Sequence, residues 1–205
     1  VLRYYMRYFY IVFVTVVFIT ACKNSNDQTN FTKLTLLDSL IDKDELSMAS
    51  DSLKSINSKK LSDINLAYYQ LLDTRIKDKI YFNFTSDSII SHSREILAKQ
   101  HHKHPRLYAL SLMYQGIVRY RMGKTDSTVL IPLIKSIDIF KKTSTPDIKN
   151  IYLCYTYAGL IHDNHNDISD AFRYLKEAAK YAKIDNDTSK LNFVYSELAW
   201  NRLKA

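Results

Sequence analysis

The stretch that decides the fold is residues 148–183, which read IKNIYLCYTYAGLIHDNHNDISDAFRYLKEAAKYAK. Apolar residues recur with helical periodicity on both sides of the polar run His162–Asp167, so this run predicts a turn between two helices. The helices are expected at about Ile148–Asp163 and about Ser169–Lys183. Small side chains let the two backbones approach closely, and they are found at Gly159, Ala171 and Ala178. The stretch therefore predicts a closely packed helical hairpin.

The pattern recurs along the chain at intervals of about forty residues. Tyr195 and Ala199 follow Tyr155 and Gly159 by forty residues, and Gly116 holds the matching position in the preceding unit. A repeat of this length indicates stacked units rather than independent helices. The other helices are predicted at about Leu34–Asp44, Ser47–Ile56, Leu61–Lys79, Asp87–Gln100, Leu107–Met122, Thr128–Lys141 and Ser189–Lys204.

The repeat resembles an extended tetratricopeptide (TPR) array over about Leu61–Trp200. In the unit quoted above, the family's signature positions are occupied by Tyr155, Ala158, Gly159, Ala171, Leu175 and Ala178. The unit is longer than the usual repeat of about 34 residues, which longer helices would explain. The resemblance implies an all-α fold, a right-handed α-α superhelix of antiparallel helix pairs. One departure is Pro132, which predicts that its helix begins near Thr128 or is kinked.

Composition favours the same fold class. The 205 residues include only 3 glycines and 3 prolines, and no Asn-Gly or Asp-Gly pair marks a β-hairpin. The formal net charge is +8, but the lysines and arginines are dispersed among aspartates and glutamates. A nucleic-acid partner is therefore not expected, since that function requires clustered positive charge.

The first 22 residues carry a different pattern. Arg3 and Arg7 precede an apolar run over Tyr8–Phe18, and Ile19-Thr20-Ala21-Cys22 follows the run. Such an order is typical of a cleaved export signal. The last four residues resemble the lipoprotein signal of bacteria, in which the cysteine is acylated and becomes the new N-terminus. The resemblance implies that lipid on Cys22 anchors the chain in the cell envelope, with the outer membrane facing the periplasm as the expected location.

The sequence therefore divides into a lipoprotein signal peptide at 1–21, a polar linker at 22–33 and a TPR-like repeat domain at 34–205. Met6 is expected to be the true start in place of Val1. A second resemblance, over Ala67–Leu72, Asp78–Lys79 and Ser86–Ile90, is to the N-terminal part of membrane-anchored TPR sensors or regulators. In that group a membrane span and a signalling tail follow the array. The domain is accordingly expected to be truncated at its C-terminus.

Few residues suggest chemistry. His101, His102 and His104 could bind a metal ion, but they precede Pro105 in a predicted loop and are interpreted as solvated. Cys154 lies in an apolar helical stretch and is expected to be buried. No catalytic or cofactor motif is found in the sequence. We therefore expect that the protein is not an enzyme and that it binds neither a cofactor nor a metal ion. Tyrosines on predicted first helices are candidates for packing or for partner binding: Tyr68, Tyr69, Tyr114, Tyr120, Tyr152, Tyr155 and Tyr157.

The function expected from these observations is that of a lipid-anchored extracytoplasmic scaffold that binds a protein or peptide partner. It would be the sensory or interaction part of a larger envelope regulator. The alternative is a lipoprotein that captures nutrients or glycans with helical repeats. A membrane span and a regulatory tail further along the gene would exclude that alternative.

Overall fold

The structure is a computed structural model that describes residues 26–204, with side chains up to residue 203. Within this range the regular secondary structure consists of α-helices and one short 3₁₀ helix, and no strand is present. The α-helices are α1 (26–42), α2 (Leu46–Lys54), α3 (Asp63–Lys79), α4 (Ser88–Lys99), α5 (Pro105–Arg121), α6 (Ser127–Lys142), α7 (Ile148–Asn164), α8 (Ile168–Ile184) and α9 (Thr188–Lys204). A short 3₁₀ helix, Ser58–Lys60, precedes α3.

The helices pack in consecutive antiparallel pairs. α3 packs with α4, α5 with α6 and α7 with α8, while α4 and α6 also contact the first helix of the following pair. The last described helix, α9, packs on α8. This succession confirms the prediction of an all-α helical solenoid.

Each first helix ends in the same way. A residue in the left-handed region follows the helix, and the next amide donates back to a carbonyl in its last turn. After α7, for example, Asn166 has φ +57°, and the Asp167 amide donates to the His162 carbonyl at 3.0 Å. This arrangement satisfies carbonyls that a helix end leaves free. The other left-handed residues in the described range are Asp44, Tyr81, Gly123 and Asn186, the last of which follows α8.

Two glycines let the paired helices approach closely. A Cβ atom added at Gly116 would lie 2.8 Å from Leu133 Cγ, and one added at Gly159 would lie 2.7 Å from Leu175 Cγ. Tyr155 is buried beside this contact region. On α8, Ala171 and Ala178 are fully buried. The positions that match in α9 are different: Tyr195 and Ala199 are exposed, because within the described range no further helix packs on them.

The prediction of a polar linker at 22–33 is wrong for residues 26–33, because these residues belong to α1. Its early residues are held by other helices: Asn65 Nδ2 donates to the Asp27 carbonyl at 2.9 Å, and the Phe31 ring lies 5.4 Å from that of Tyr68. The run is polar because one side of α1 faces solvent. Leu36 of α1 is also exposed. Residues 22–25 of the predicted linker lie outside the described range.

Pro132 lies inside α6 rather than in its first turn. A proline has no amide hydrogen, so the carbonyl of Thr128 loses its usual partner within the helix. Arg119 of α5 replaces that partner, because its Nη1 donates to the Thr128 carbonyl at 2.9 Å. The same guanidinium donates through Nε to Asp87 Oδ2 at 2.6 Å. The helix therefore passes through the proline with its free carbonyl satisfied by a neighbouring helix.

No helix among the described residues has both the length and the apolar character needed to cross a bilayer. The predicted signal peptide at 1–21 and the predicted lipidation site Cys22 lie outside the described residues.

Candidate interaction surfaces

A cluster of charged residues joins four first helices. Asp38 and Asp42 on α1 form ion pairs with Arg75 on α3 and with Arg106 on α5. The Arg106 guanidinium reaches Asp38 Oδ2 at 2.6 Å and Asp42 Oδ2 at 3.2 Å, and its Nε reaches Asp147 Oδ2 at 3.0 Å. Asp147 is the N-cap of α7. We call these five residues the ionic cluster.

Burial controls the electrostatics of the ionic cluster. Arg75 is only 2% exposed, and burial lowers the pKa of its guanidinium. Burial also raises the pKa of Asp42, although the positive charge of Arg106 opposes this rise. Beside them, Tyr68 donates to Asp38 Oδ2 at 2.8 Å, and burial raises its pKa to about 12. Because the carboxylates and guanidinium groups contact one another, the cluster connects helices rather than offering free charge to a ligand.

Most of the candidate tyrosines pack between helices. Tyr68, Tyr114, Tyr152 and Tyr155 are buried. Two of their hydroxyls have protein partners beyond the ionic cluster: Tyr155 Oη accepts from Lys141 Nζ at 2.8 Å, and Tyr152 Oη donates to the Lys190 carbonyl at 3.4 Å. Tyr69, Tyr120 and Tyr157 are partly buried. The first-helix tyrosines therefore serve packing, and the exposed tyrosines of the described range are Tyr81 and Tyr195.

The histidines near Pro105 lie in the turn before α5. The rings of His101 and His102 have their centroids 3.7 Å apart, and His101 Nδ1 lies 2.8 Å from the Ala98 carbonyl. His104 instead packs against Phe31 with ring centroids 5.0 Å apart, and burial lowers its pKa. His101 and His102 are therefore exposed to solvent, whereas His104 contacts α1.

A different group has the spacing of metal ligands. Ligand atoms of His162, Asp167 and Asp170 lie within 4.8 Å of one another. Both oxygens of Asp167 already have donors, since Oδ1 accepts from the Asp170 amide and Oδ2 lies 2.9 Å from His162 Nδ1. Arg173 also pairs with Asp170 at 2.8 Å. The geometry is that of a helix N-cap and its neighbours.

Cys154 is fully buried, as its apolar surroundings predict. Its Sγ lies 3.7 Å from Ser136 Oγ, and burial raises the pKa of the thiol to about 12. A thiol acts as a nucleophile through its thiolate, which this environment disfavours. Cys154 therefore has a packing role.

A groove that exposes apolar side chains lies between α8 and α9. It has a volume of about 510 Å³. The residues that line this α8–α9 groove are Phe172, Lys176, Ala179, Lys180, Lys183, Tyr195, Leu198, Ala199 and Arg202. Phe172 is 39% exposed and Tyr195 is 45% exposed. Trp200 and Leu203, also on α9, add to the exposed apolar surface.

The α8–α9 groove is rimmed by positive charge. Its lining includes Lys176, Lys180, Lys183 and Arg202 and no acidic residue. Lys180 pairs with Glu177 at the edge. The ion pairs between described residues do not involve Lys176, Lys183 or Arg202. Instead, Lys176 Nζ lies 5.6 Å from the centroid of the Phe172 ring.

The repeat pattern predicts Tyr195 and Ala199 as repeat positions, but it does not predict the groove around them. A signal was available in the lysines of α8, which recur at 176, 180 and 183 and so share one helical face. The ionic cluster had a weaker signal, since Arg106 and Asp147 are 41 residues apart and begin successive first helices.

A second depression lies between α1, α2 and the 3₁₀ helix, with a volume of about 550 Å³. Its lining mixes leucines of α1 with amide and lysine side chains, including Asn26, Asn30, Lys33 and Lys60. It lies at the N-terminal end of the described range. The α8–α9 groove and this depression are therefore at opposite ends of the array.

Comparison of the chain with protein-family models, with curated proteins and with solved structures found no match.

Proposed function

We propose that this chain is a lipid-anchored, TPR-like scaffold of the bacterial cell envelope that binds a protein or peptide partner. It acts by binding and not by catalysis. The observation that carries the proposal is the α8–α9 groove, where a helical array exposes aromatic and aliphatic side chains beside a row of cations.

The described residues leave exposed on α9 a position that a helix covers in earlier pairs. In the pairs α5–α6 and α7–α8, the position of Gly116 or Gly159 is covered by a leucine of the second helix. On α9 the matching residue, Ala199, is exposed together with Tyr195. Contiguous apolar surface on a folded protein commonly marks an interaction site.

The anchor is supported by sequence. Arg3, Arg7, the apolar run and the Ile19-Thr20-Ala21-Cys22 box have the order of a lipoprotein signal. A single acyl chain gives marginal membrane binding, whereas several chains on Cys22 would hold the scaffold stably at a membrane surface.

Metabolic labelling with a radioactive or clickable fatty acid tests the anchor. We expect the wild-type chain to be labelled and to fractionate with membranes, and the Cys22→Ala variant to carry no label. Cys154→Ala is the matched control, because its buried thiol should not be acylated. An unlabelled wild-type chain, or label that persists in Cys22→Ala, would contradict the anchor.

Photo-crosslinking in cells tests partner binding. A photoreactive amino acid at Tyr195 should give a discrete crosslinked product of higher mass. Ile131, which is 51% exposed on α6 and does not line the groove, is the control position. Equal products from both positions, or none from Tyr195, would count against a partner at α9.

A further inference from the structure

We propose that the turn between α3 and α4 inserts an apolar tip into the surface of the bilayer that holds the lipid anchor. The tip is formed by Ile80, Tyr81 and Phe82, and we call these three residues the α3–α4 tip. This inference rests on the proposed anchor at Cys22 and specifies a second contact of the scaffold with the membrane.

The α3–α4 tip exposes three large apolar side chains in succession. Each is at least half exposed, and Tyr81 is 82% exposed. Ile89 of α4 is also exposed and lines a small cavity together with Phe82. Single exposed apolar residues are ordinary on a folded protein, whereas a contiguous apolar patch commonly marks an interaction site.

The α3–α4 tip lies inside the array rather than at one of its ends. The pair α1–α2 precedes it and the pair α5–α6 follows it. Both neighbouring pairs are described, and neither covers the tip. Continuation of the array at either end would add helices next to α1 or α9. The exposure of the tip therefore does not depend on where the described range stops.

The backbone of the tip differs from that of the equivalent turns. The left-handed position after the first helix is occupied by Asp44 after α1, Gly123 after α5 and Asn166 after α7. After α3 it is occupied by Tyr81, with φ +56°. Glycine, asparagine and aspartate adopt this conformation readily, whereas a bulky residue is an outlier there. Because the strained residue also exposes its ring, the turn favours a functional role over a packing role.

Cations lie behind the rings of the tip. Lys77 Nζ is 5.5 Å from the centroid of the Phe82 ring, and Arg121 Cζ is 5.7 Å from the centroid of the Tyr81 ring. In front of them, residues 80–86 contain no charged side chain. Aromatic and aliphatic side chains with cations set back from them are typical of segments that enter the headgroup region of a bilayer.

The same cations are neutralised within the chain. Lys77 pairs with Asp73 at 2.7 Å, and Arg121 pairs with Asp78 at 3.0 Å. The tip therefore presents little net charge to an acidic or basic partner, and burial of apolar surface must supply the binding free energy. A bilayer provides this burial without complementary charges, so a lipid surface is favoured as the occupant.

The tip and the anchor can reach the same bilayer. Lys79, the last residue of α3, pairs with Asp44, which follows α1, so the tip lies beside the C-terminal end of α1. A helix over residues 26–42 is about 25 Å long. The four residues Cys22–Ser25 before it reach at most about 14 Å. The anchor therefore holds α1 close to the membrane, and both contacts form when α1 lies along the bilayer surface.

The depth of the tip in a bilayer tests the inference. The full chain is reconstituted in phosphatidylcholine vesicles with the environment-sensitive fluorophore NBD on Asn83→Cys, next to the tip. Cys154 is buried and Cys22 is acylated in the proposed scaffold, so the new thiol is the reactive one. We expect the emission to rise about twofold or more, with stronger quenching by lipids spin-labelled near the headgroup than by lipids labelled deep in the acyl chain.

Removal of the apolar tip supplies the variant. With Ile80→Ser, Tyr81→Asn and Phe82→Ser combined, the fluorophore should stay in water while the chain remains with the vesicles. Asparagine is chosen at position 81 because it tolerates the left-handed conformation, as Asn166 does. Tyr81→Asn alone should therefore keep or raise the urea midpoint of unfolding, so lost insertion cannot be attributed to lost folding.

A matched control removes three exposed apolar side chains elsewhere. Ile131→Ser, Phe172→Ser and Ile184→Ser combined alter α6 and α8 and should leave the fluorescence as in the wild type. A fluorophore that stays in water in the wild-type chain, or that loses its signal in this control, would overturn the inference. Insertion confined to vesicles with phosphatidylglycerol would also overturn it, since charge would then drive binding.

Two other results would overturn it by identifying a different occupant. One is a dimer in analytical ultracentrifugation that is absent in the tip variant, which would indicate a second copy of the chain. The other is a crosslink in cells from a photoreactive amino acid at Tyr81 to a protein of discrete mass, with none to lipid.

The inference and the proposed function can fail separately. A fatty-acid label on Cys22, with the fluorophore at position 83 in water, would leave the anchor and remove the tip. If the chain carries no fatty acid, the same fluorophore in a Cys22→Ala background still reports on the tip. Insertion there would support the tip and contradict only the anchor.

Discussion

At the scale of single residues, the closest helix contacts depend on the absence of a side chain. Gly159 faces Leu175 Cγ and Cδ2, and a methyl group there would lie 2.7 and 2.9 Å from these atoms. Cγ is the branch point of the leucine and cannot move as freely as the end of a long side chain. Overpacking of this kind typically costs about 1–3 kcal/mol.

We predict that Gly159→Ala lowers the free energy of unfolding by about 1–2 kcal/mol, although alanine favours a helix over glycine by about 1 kcal/mol. The change should cost less in a Leu175→Ala background, because the clash is then removed. Urea denaturation followed by circular dichroism measures all four chains of this double-mutant cycle. Additive effects would refute the steric explanation.

Gly123→Ala is the matched control. Its φ is +81°, and an added Cβ would have no atom within 4 Å. The expected loss is about 1 kcal/mol from backbone strain, and it should be independent of Leu175.

At the scale of elements, α6 depends on its neighbour. Pro132 removes one hydrogen bond of the helix, and the Thr128 carbonyl accepts from Arg119 instead. A hydrogen bond from a charged donor contributes about 1.5–3 kcal/mol. Arg119 is also paired with Asp87. Burial is the largest single influence on the pKa of Asp87 and raises it, but the hydrogen bond and the charge of Arg119, together with hydrogen bonds from Ser91 and the backbone, outweigh burial and lower this pKa. Arg119 thus connects α4, α5 and α6.

We predict that Arg119→Met destabilises the wild-type chain by about 2 kcal/mol and the Pro132→Ala chain by less. In the latter, the amide of residue 132 can donate to the Thr128 carbonyl, so the arginine is partly redundant. Thermal or urea unfolding of the four variants gives the coupling energy, for which we expect about 0.5–1.5 kcal/mol. A coupling of zero would mean that Arg119 acts only through Asp87.

The extents of α3 to α9 could be predicted because their signals are local. Apolar periodicity and polar turns place α3 to α9 within a few residues of their observed bounds. The start of α1 could not be predicted in this way, because Asn65 and Phe31 stabilise it through contacts between helices. The partners of Arg75 and Arg119 were also not predictable, since the stacking of the pairs decides which charges meet.

At the scale of the whole molecule, the ionic cluster connects α1, α3, α5 and α7. Burial raises the pKa of Asp42, and Arg106 is the main opposing influence. Because the pKa of Asp42 is higher in the folded than in the unfolded state, the ionised carboxylate lowers the free energy of unfolding at pH values above the folded-state pKa. This destabilisation is lost as the pH falls through the folded-state pKa and the carboxylate becomes protonated.

Arg106→Met should raise the pKa of Asp42 further. We predict a loss of about 2 kcal/mol in the free energy of unfolding at pH 7, because a partly buried carboxylate cluster loses a cation. The loss should shrink as the pH falls through the folded-state pKa of Asp42, where this carboxylate becomes protonated. Urea denaturation at a series of pH values measures this. Arg173→Met, which removes an exposed arginine paired with Asp170, should show little dependence on pH. If the loss of unfolding free energy caused by Arg106→Met did not change with pH, ionisation of the carboxylates would have no role in it.

The turns that end the first helices also determine how the chain reaches this arrangement. Each turn closes through hydrogen bonds between residues close in sequence, so a pair can form without waiting for distant segments to meet. The entropy lost in closing so short a loop is small, and contacts of this range favour rapid folding. The ionic cluster needs residues from four first helices, as far apart as Asp38 and Asp147. Its charges should therefore come together late, after the helical pairs have formed.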